Sequence, residues 1–353
     1  MEDLAHPTPT VDLAPRLNPA EMEDMAFEQQ PAPTQHLGEY GCRTVAKQFK
    51  KMMSYEAAVL KDQDIEDLHQ MRINLRRLRT TLRTFGVVLA LPETVQDQAV
   101  KPLAKRLGRV RDLDVLLAAL RDRYRPTLSK KEQKVLDQAM QRLGQERDRQ
   151  FQRMKRFLQS DQCADLKRAF ETWIKQPQFN YTGALAVAIA LPDLLLPVLS
   201  QTLLHPGWLA VPDLKYGGQE SRELVESTKN RDKLSDWLNH EGTILHDLRK
   251  QMKHLRYQAD SFAPYYDSHY KAYTREFKAI QDVLGRLQDA WVLGQTLAQC
   301  SGKSWAKKLP TLAQQMAQDR WDAWHEWDGI RQKYLTVEGR SQSRAILLQT
   351  QIA

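Results

Sequence analysis

The chain of 353 residues is poor in cysteine, and its three cysteines are far apart. Cys42, Cys163 and Cys300 form no C-x-x-C pair, the spacing that is common in zinc and thiol-redox sites. We therefore expect reduced thiols, no structural metal and no cofactor. His69 and His246 do not change that expectation, because neither has a second His, Cys or carboxylate three or four residues further along.

The sequence also lacks an uninterrupted apolar run of membrane-spanning length. Its most apolar stretch, residues 184–204, contains Pro192, Asp193 and Pro197 and is predicted to be a buried helix. The first residues are acidic and proline-rich, unlike a secretory signal peptide. We expect a cytoplasmic protein with no insertion into a membrane.

Familiar catalytic patterns are missing as well. No glycine-rich phosphate loop of the G-x-x-x-x-G-K-[ST] type, no nucleophile elbow and no catalytic pair of carboxylates is recognisable. The sequence therefore predicts a protein that is not an enzyme. A phosphatase remains an alternative, and it would need a metal site or a nucleophile.

Positive charge, in contrast, is abundant and unevenly distributed. Of 52 Lys and Arg and 44 Asp and Glu, residues 1–35 hold one arginine and seven acids, which leaves 51 against 37, a net charge of +14, for the remainder. A folded part this basic favours polyanionic partners, such as nucleic acid, an anionic membrane surface or another phosphate polymer.

The chain is predicted to be all-α between two disordered ends. Residues 1–35 contain six prolines and little apolar pattern, so they are expected to be a disordered acidic tail. From His36 the pattern is helical almost throughout, with Gly and Pro at the breaks. Asp64 is expected to cap a helix, and residues 337–353 are expected to form a frayed polar tail.

Residues 68–85 separate into two opposed faces when they are read at the helical period. One face carries the first apolar seam, which consists of Met71, Leu75, Leu78, Leu82 and Phe85. The other carries the first basic row, which consists of His69, Arg72, Arg76, Arg79 and Arg83. No Asp or Glu occurs from Leu68 to Pro92. Since like charges three and four residues apart on a helix repel each other, the row is predicted to need acids from a facing helix or an external anion.

The same pattern recurs 177 residues later. LHQMRINLRRLRTTLRTF at 68–85 corresponds to LHDLRKQMKHLRYQADSF at 245–262, and LGRVRD at 107–112 corresponds to LGRLQD at 284–289. The second basic row consists of His246, Arg249, Lys253 and Arg256, with Lys250 on its flank, and the second apolar seam consists of Leu248, Met252, Leu255, Ala259 and Phe262. We interpret this as an internal duplication. It predicts two antiparallel helical bundles, residues 36–183 and 184–336, related by a pseudo-twofold axis, with their basic rows facing each other.

The second motif adds further cations. Lys101, Lys105 and Arg109 are spaced by four residues, and Lys278 and Arg286 take two of the matching positions, while Asp282 replaces the middle lysine. Gly108 and Gly285 are expected to let helices approach closely. Asp112 and Asp289 are expected to be structural partners of arginines.

These residues resemble the conserved histidine α-helical domain, or CHAD domain. The resemblance rests on LHQMRINLRRLR, LHDLRKQMKHLRY and LGRVRDLD and covers about residues 36–336. It implies an all-helical fold of two similar bundles with basic residues on a central face, and a family whose members bind inorganic polyphosphate and associate with polyphosphate granules. The binding residues that it implies are His69, Arg72, Arg76, Arg79, His246, Arg249, Lys253 and Arg256, with Arg109 and Arg286 in support.

The sequence thus predicts a non-catalytic protein that binds inorganic polyphosphate or another polyanion. The full predicted site is His69, Arg72, Arg76, Arg79, Arg83, Lys101, Lys105, Arg109, His246, Arg249, Lys250, Lys253, Arg256, Lys278 and Arg286. Nucleic acid is the alternative ligand. It is disfavoured because bases call for aromatic side chains among the cations, and only Tyr257 lies near either row. Chain-length preference, oligomeric state, the role of residues 1–35, and the choice between a pore and a groove stay open.

Overall fold

The computed structural model describes residues 35–213 and 228–350, and this part of the chain is α-helical with no β-strand. The helices are α1 (Leu37–Met53), α2 (Glu56–Lys61), α3 (Ile65–Thr84), α4 (Asp97–Ala118), α5 (Lys130–Leu158), α6 (Asp161–Lys175), α7 (Val187–Leu203), α8 (Thr228–His240), α9 (Thr243–Phe262), α10 (Ser268–Ser301), α11 (Trp305–Lys308), α12 (Pro310–Tyr334) and α13 (Val337–Leu348). The predicted all-α class is confirmed. The predicted disorder of residues 1–34 lies outside the described residues.

Helices α3 and α9 carry the two apolar seams. Both helices have 20 residues, and every seam residue is at most 2% exposed. Asp64 caps α3 as predicted, because its Oδ1 accepts a hydrogen bond from the backbone N–H of Glu66 at 2.8 Å. Burial of one complete face fixes the rotation of each helix, and the basic row is thereby held on the opposite face.

The chain forms two compact units. Among the described residues, the first comprises residues 35–105 and 155–191, and the second comprises residues 106–154, 192–213 and 228–350. Helices α4, α5 and α7 therefore contribute to both units. In the first unit α1 packs on α3, and in the second α10 packs on α9 and α12.

The boundaries of these units differ from the predicted division after residue 183, for a reason that lies in the second unit's core. Residues of α4, α5 and the turns between them share a buried cluster with α10 and α12, formed by Leu116, Leu120, Leu136, Leu143, Leu293, Leu297, Leu312 and Met316. The two predicted bundles, their pseudo-twofold relation and the duplication stay predictions.

Helix α7 matches the predicted buried helix. It includes Pro192 and Pro197, and it buries Leu191, Leu195 and Leu199 almost completely. None of the helices in the described ranges is long and apolar enough to cross a membrane.

The predicted frayed tail at residues 337–353 is wrong for most of its length, because α13 forms there. Thr336 caps this helix by accepting a hydrogen bond from the N–H of Gly339 at 3.1 Å. Leu347 is fully buried, and Tyr266 donates its hydroxyl hydrogen bond to the Leu347 carbonyl at 3.0 Å. The cap, the buried side chain of Leu347 and the hydrogen bond to its carbonyl thus hold this helix in place.

Replacing Leu255 with Ala tests the contribution of the second seam. The side chain is fully buried, so Leu255→Ala should lower the free energy of unfolding by about 2–5 kcal/mol. The control Leu348→Ala, at a site that is 57% exposed on α13, should change it by about 0.5 kcal/mol or less. Chemical denaturation measures both, and equal losses would contradict the packing role of the seam.

Candidate polyanion-binding site

The first basic row lies on α3, opposite the buried seam. His69, Arg72 and Arg76 are half-buried, and each has further contacts within the fold. Arg79 and Arg83, at the C-terminal end of the row, are 22% and 47% exposed. The row is therefore accessible along one helix face.

Asp97, the first residue of α4, binds both Arg79 and Arg83. Its Oδ1 accepts from Arg79 Nε at 2.6 Å, and its Oδ2 accepts from Arg83 Nη2 at 2.7 Å and Nε at 2.9 Å. Burial of this carboxyl opposes its ionisation, but the hydrogen bonds from the two guanidinium groups prevail and lower its pKa. At this end of the row, an acid from another helix thus supplies counter-charge, which is one of the two alternatives that the sequence left open.

A second set of cations follows one face of α4. Lys101, Lys105 and Arg109 are exposed, and none has an ion pair within the described parts of the chain. Asp97 lies four residues before Lys101, so the same helix face begins with the acid and continues with cations. This face offers charge that is not already neutralised.

In the second unit, Arg249 of α9 lies against α10 at Gly285. A Cβ atom at position 285 would come within 3.1 Å of Arg249 Nη2 and 3.3 Å of Nε. The Arg249 side chain is only 17% exposed, and Asp289 Oδ1 is 4.0 Å from Nη2. Gly285 was predicted to let helices approach closely. The space beside it holds the guanidinium group of Arg249. Asp289 is near an arginine, as predicted, although the contact is long.

Arg256, two turns further along α9, is held by three groups. Its Nε donates to Gln281 Oε1 at 3.0 Å, its Nη1 donates to Asp260 Oδ2 at 3.2 Å, and its Cζ lies 4.4 Å from the centre of the Tyr257 ring. The helices α9 and α10 thus pair so that Arg249 meets Gly285 and Arg256 meets Gln281. This register fixes the direction in which both guanidinium groups point.

Other predicted cations of the second unit also have acidic neighbours. Lys250 Nζ is 2.5 Å from Asp247 Oδ1, and Arg286 pairs with Glu326. Both pairs are about half exposed on each side, and such pairs contribute roughly 0–1 kcal/mol each. Lys278 is exposed. Acids within the fold therefore supply some counter-charge to this unit as well, but these exposed ion pairs are weak.

His246 begins the second basic row, and its surroundings favour the neutral imidazole. Burial, followed by the nearby charges of Lys250 and Arg249, lowers its pKa. Its Nδ1 is buried and has no hydrogen-bond partner in the described structure. His246 therefore offers a neutral hydrogen-bonding group where the rest of the row offers charge.

Comparison with known proteins identifies the family. The family model of the CHAD domain matches residues 43–298, well over half of the chain. The chain belongs to the CHAD family.

The solved structures that resemble this CHAD protein have the same fold. A crystal structure of the CHAD domain from the plant Ricinus communis matches with a TM-score of 0.58 and 22% identity, covering 92% of this chain and 98% of that one. PptA from Streptomyces chartreusis matches with a TM-score of 0.57 and 16% identity, covering 84% and 99%. No curated protein sequence matches.

In this CHAD protein the described residues contain no group of three or more His, Cys, Asp or Glu side chains placed to hold a metal ion. Cys42 and Cys163 are buried free thiols, and Cys300 is a half-buried one. Burial raises the pKa of Cys42 to about 12, so this thiol is not a nucleophile at neutral pH.

Sequence reasoning missed two residues that shape the site. Asp97 precedes Lys101 by the same four residues that separate Lys101 from Lys105. The sequence therefore shows an acid at the N-terminal end of the cations on α4. Gln281 had no such signal, because its contact with Arg256 depends on how α9 and α10 are aligned.

The role of Gly285 is tested by Gly285→Ala, with Gly294→Ala on the same helix as the control. A Cβ at 285 displaces the Arg249 guanidinium, whereas a Cβ at 294 meets its nearest atom, Met316 Cε, at an ordinary 3.7 Å. Both changes favour the helix by about 1 kcal/mol. We expect Gly285→Ala alone to weaken binding of long-chain polyphosphate, by about fivefold if about 1 kcal/mol of contact is lost, while the melting temperature does not fall.

Calorimetry of both variants, in wild-type and Arg249→Ala backgrounds, separates positioning from a general effect. In the Arg249→Ala background, Gly285→Ala should have no further effect on affinity. Equal additional losses in both backgrounds would contradict the positioning role.

Proposed function

We propose that this CHAD protein binds inorganic polyphosphate through the basic rows of α3 and α9 and catalyses no reaction on it. One observation carries the proposal: each of these helices buries one complete face and holds an arginine-rich row on the other. Binding of polyphosphate by members of the CHAD family, which the resemblance implies, supports it. That the two rows face each other stays a prediction.

The chemistry of the rows suits a phosphate polymer. Guanidinium groups bind phosphate oxygens in a bidentate way, and lysines add point charges. Exposed acids such as Asp247 and Glu326 compete weakly, because a polyanion presents many charges at once. Affinity arises from many charge-assisted contacts and from counterion release, so it should fall steeply with salt.

The same surface suits nucleic acid less well than it suits polyphosphate. Tyr257 is next to Arg256 of the second row in sequence; it is 7% exposed, and its ring lies beside the Arg256 guanidinium. It is therefore poorly placed to stack on a base. A ligand that consists of phosphate alone needs no such surface.

The proposed setting is cytoplasmic, on polyphosphate granules, with the protein acting as a binding component. Incubation with labelled polyphosphate and magnesium should release no phosphate. Phosphate release that depends on the protein would favour the alternative that the chain is an enzyme.

The central test removes four cations from the two rows. Replacing Arg72, Arg76, Arg249 and Lys253 together with Ala should abolish most binding of long-chain polyphosphate, because two contacts are lost from each row. Circular dichroism should show unchanged helicity. Binding is measured by calorimetry at several salt concentrations, and the slope of log K against log salt should become shallower by about 0.7 for each lost contact, as for single strands.

The matched control removes the same charge from exposed cations of α5, with Ala at Lys130, Lys131, Lys134 and Arg153. It should bind nearly as well as wild type. Equal losses in the two quadruple variants would mean that net charge alone determines affinity. Displacement of polyphosphate by duplex DNA or RNA at equal phosphate concentration would favour the nucleic-acid alternative.

Asp97→Asn tests the counter-charge of the first row. The change removes the negative charge that holds Arg79 and Arg83, so both guanidinium groups become available to phosphate. We expect tighter binding of polyphosphate. The slope of log K against log salt should become steeper by about 0.7, the value for one additional phosphate contact. The variant should also be less stable, as shown by a lower melting temperature. Unchanged affinity would mean that Arg79 and Arg83 do not contact the ligand.

A further inference from the structure

The second unit contains a cavity of about 180 Å³ at the start of the second basic row. Its apolar lining includes Leu284, Leu287 and Trp291 of α10, and its polar lining includes Gln288 of α10 with Thr243 and His246 of α9. A cavity of about 150 Å³ with an apolar lining holds one benzene ring. This one is therefore of the right size for a single planar ring system.

The polar side of the cavity offers hydrogen bonds without a net charge. His246 and Thr243 line the cavity on the α9 side, and the imidazole and the hydroxyl can each form a hydrogen bond. The Gln288 side chain supplies both donor and acceptor atoms. A neutral ring with hydrogen-bonding edges suits these groups better than a phosphate does.

The cavity adjoins the cations of the same row. Arg249 follows His246 by three residues, about 4.5 Å along the helix axis, and it lies on Gly285, next to Leu284 and one turn before Gln288. Lys250 is on the same turn of α9 as Arg249. A ligand that fills the cavity with its ring can therefore extend a chain of phosphates directly onto the cations.

We propose that this cavity binds the base of a nucleoside polyphosphate whose phosphates lie on the second basic row. The inference rests on the proposed function, because it uses the same cations for the phosphates. It adds a second ligand class that combines a planar, neutral ring with a polyphosphate chain. Stacking and edge contacts of one base contribute about 1–3 kcal/mol.

The test compares adenosine triphosphate and guanosine triphosphate with inorganic tripolyphosphate, in magnesium-free buffer with the full-length protein. At least one of the nucleotides should bind about tenfold more tightly than tripolyphosphate, which corresponds to about 1.4 kcal/mol. Gln288→Trp fills the cavity and should remove this advantage while the affinity for tripolyphosphate stays within about twofold. Gln295→Trp, an exposed control on the same helix, should keep the advantage.

Thr243→Trp is a second cavity-filling variant in case Gln288→Trp fails to fold, and circular dichroism checks both. If both nucleotides bind no more tightly than tripolyphosphate, or if a folded cavity-filling variant keeps the advantage, the inference is overturned. Long-chain polyphosphate in the same assay separates the two proposals. Tight binding of the long chain with no nucleotide advantage overturns only this inference, whereas no binding of either polyphosphate overturns the proposed function as well.

Discussion

Repulsion among cations spaced three and four residues apart is the constraint on which this structure depends. Each of the helices α3 and α9 places several of them along one face, which costs free energy when no anion is present. Burial of the opposite face offsets that cost: the seam residues are at most 2% exposed in both helices. Packing of the apolar seams therefore stabilises the helices that hold the basic rows. The charges of the rows do not have to stabilise the fold.

The two units relieve this repulsion in different ways. In the first, one carboxylate, Asp97, binds two guanidinium groups and is itself only 15% exposed. In the second, the acids are more numerous but mostly exposed, as at Asp260 and Asp247. Arg249 is held mainly by packing against Gly285, because Asp289, the acid near it in the described residues, is 4.0 Å away. The first row is thus neutralised at one end, whereas the second keeps its cations oriented and only weakly paired.

The seams and the rows were predictable because each follows from the helical period within one segment. The burial of Leu78 and Leu255 and the cap at Asp64 needed no knowledge of other helices. Contacts that depend on how two helices align could not be predicted in this way. Arg256 contacts Gln281, and Arg249 packs against Gly285, only because α9 and α10 pack in one particular register. Helix α13 was missed because one cap and one buried leucine stabilise it, and neither gives a strong periodic pattern.

A site of this kind cannot be optimised for the free protein and for the ligand at once. An acid that is sheltered and makes several hydrogen bonds, such as Asp97, stabilises the free state and must be displaced before phosphate can bind the same cations. An exposed acid contributes roughly 0–1 kcal/mol, so a polymer of phosphates can replace it at little cost. Packing of the Arg249 guanidinium against Gly285 competes less with a ligand than Asp97 does, because the acid near Arg249, Asp289, is exposed and 4.0 Å away. In the proposed function, this arrangement orients the cation and leaves its charge for phosphate.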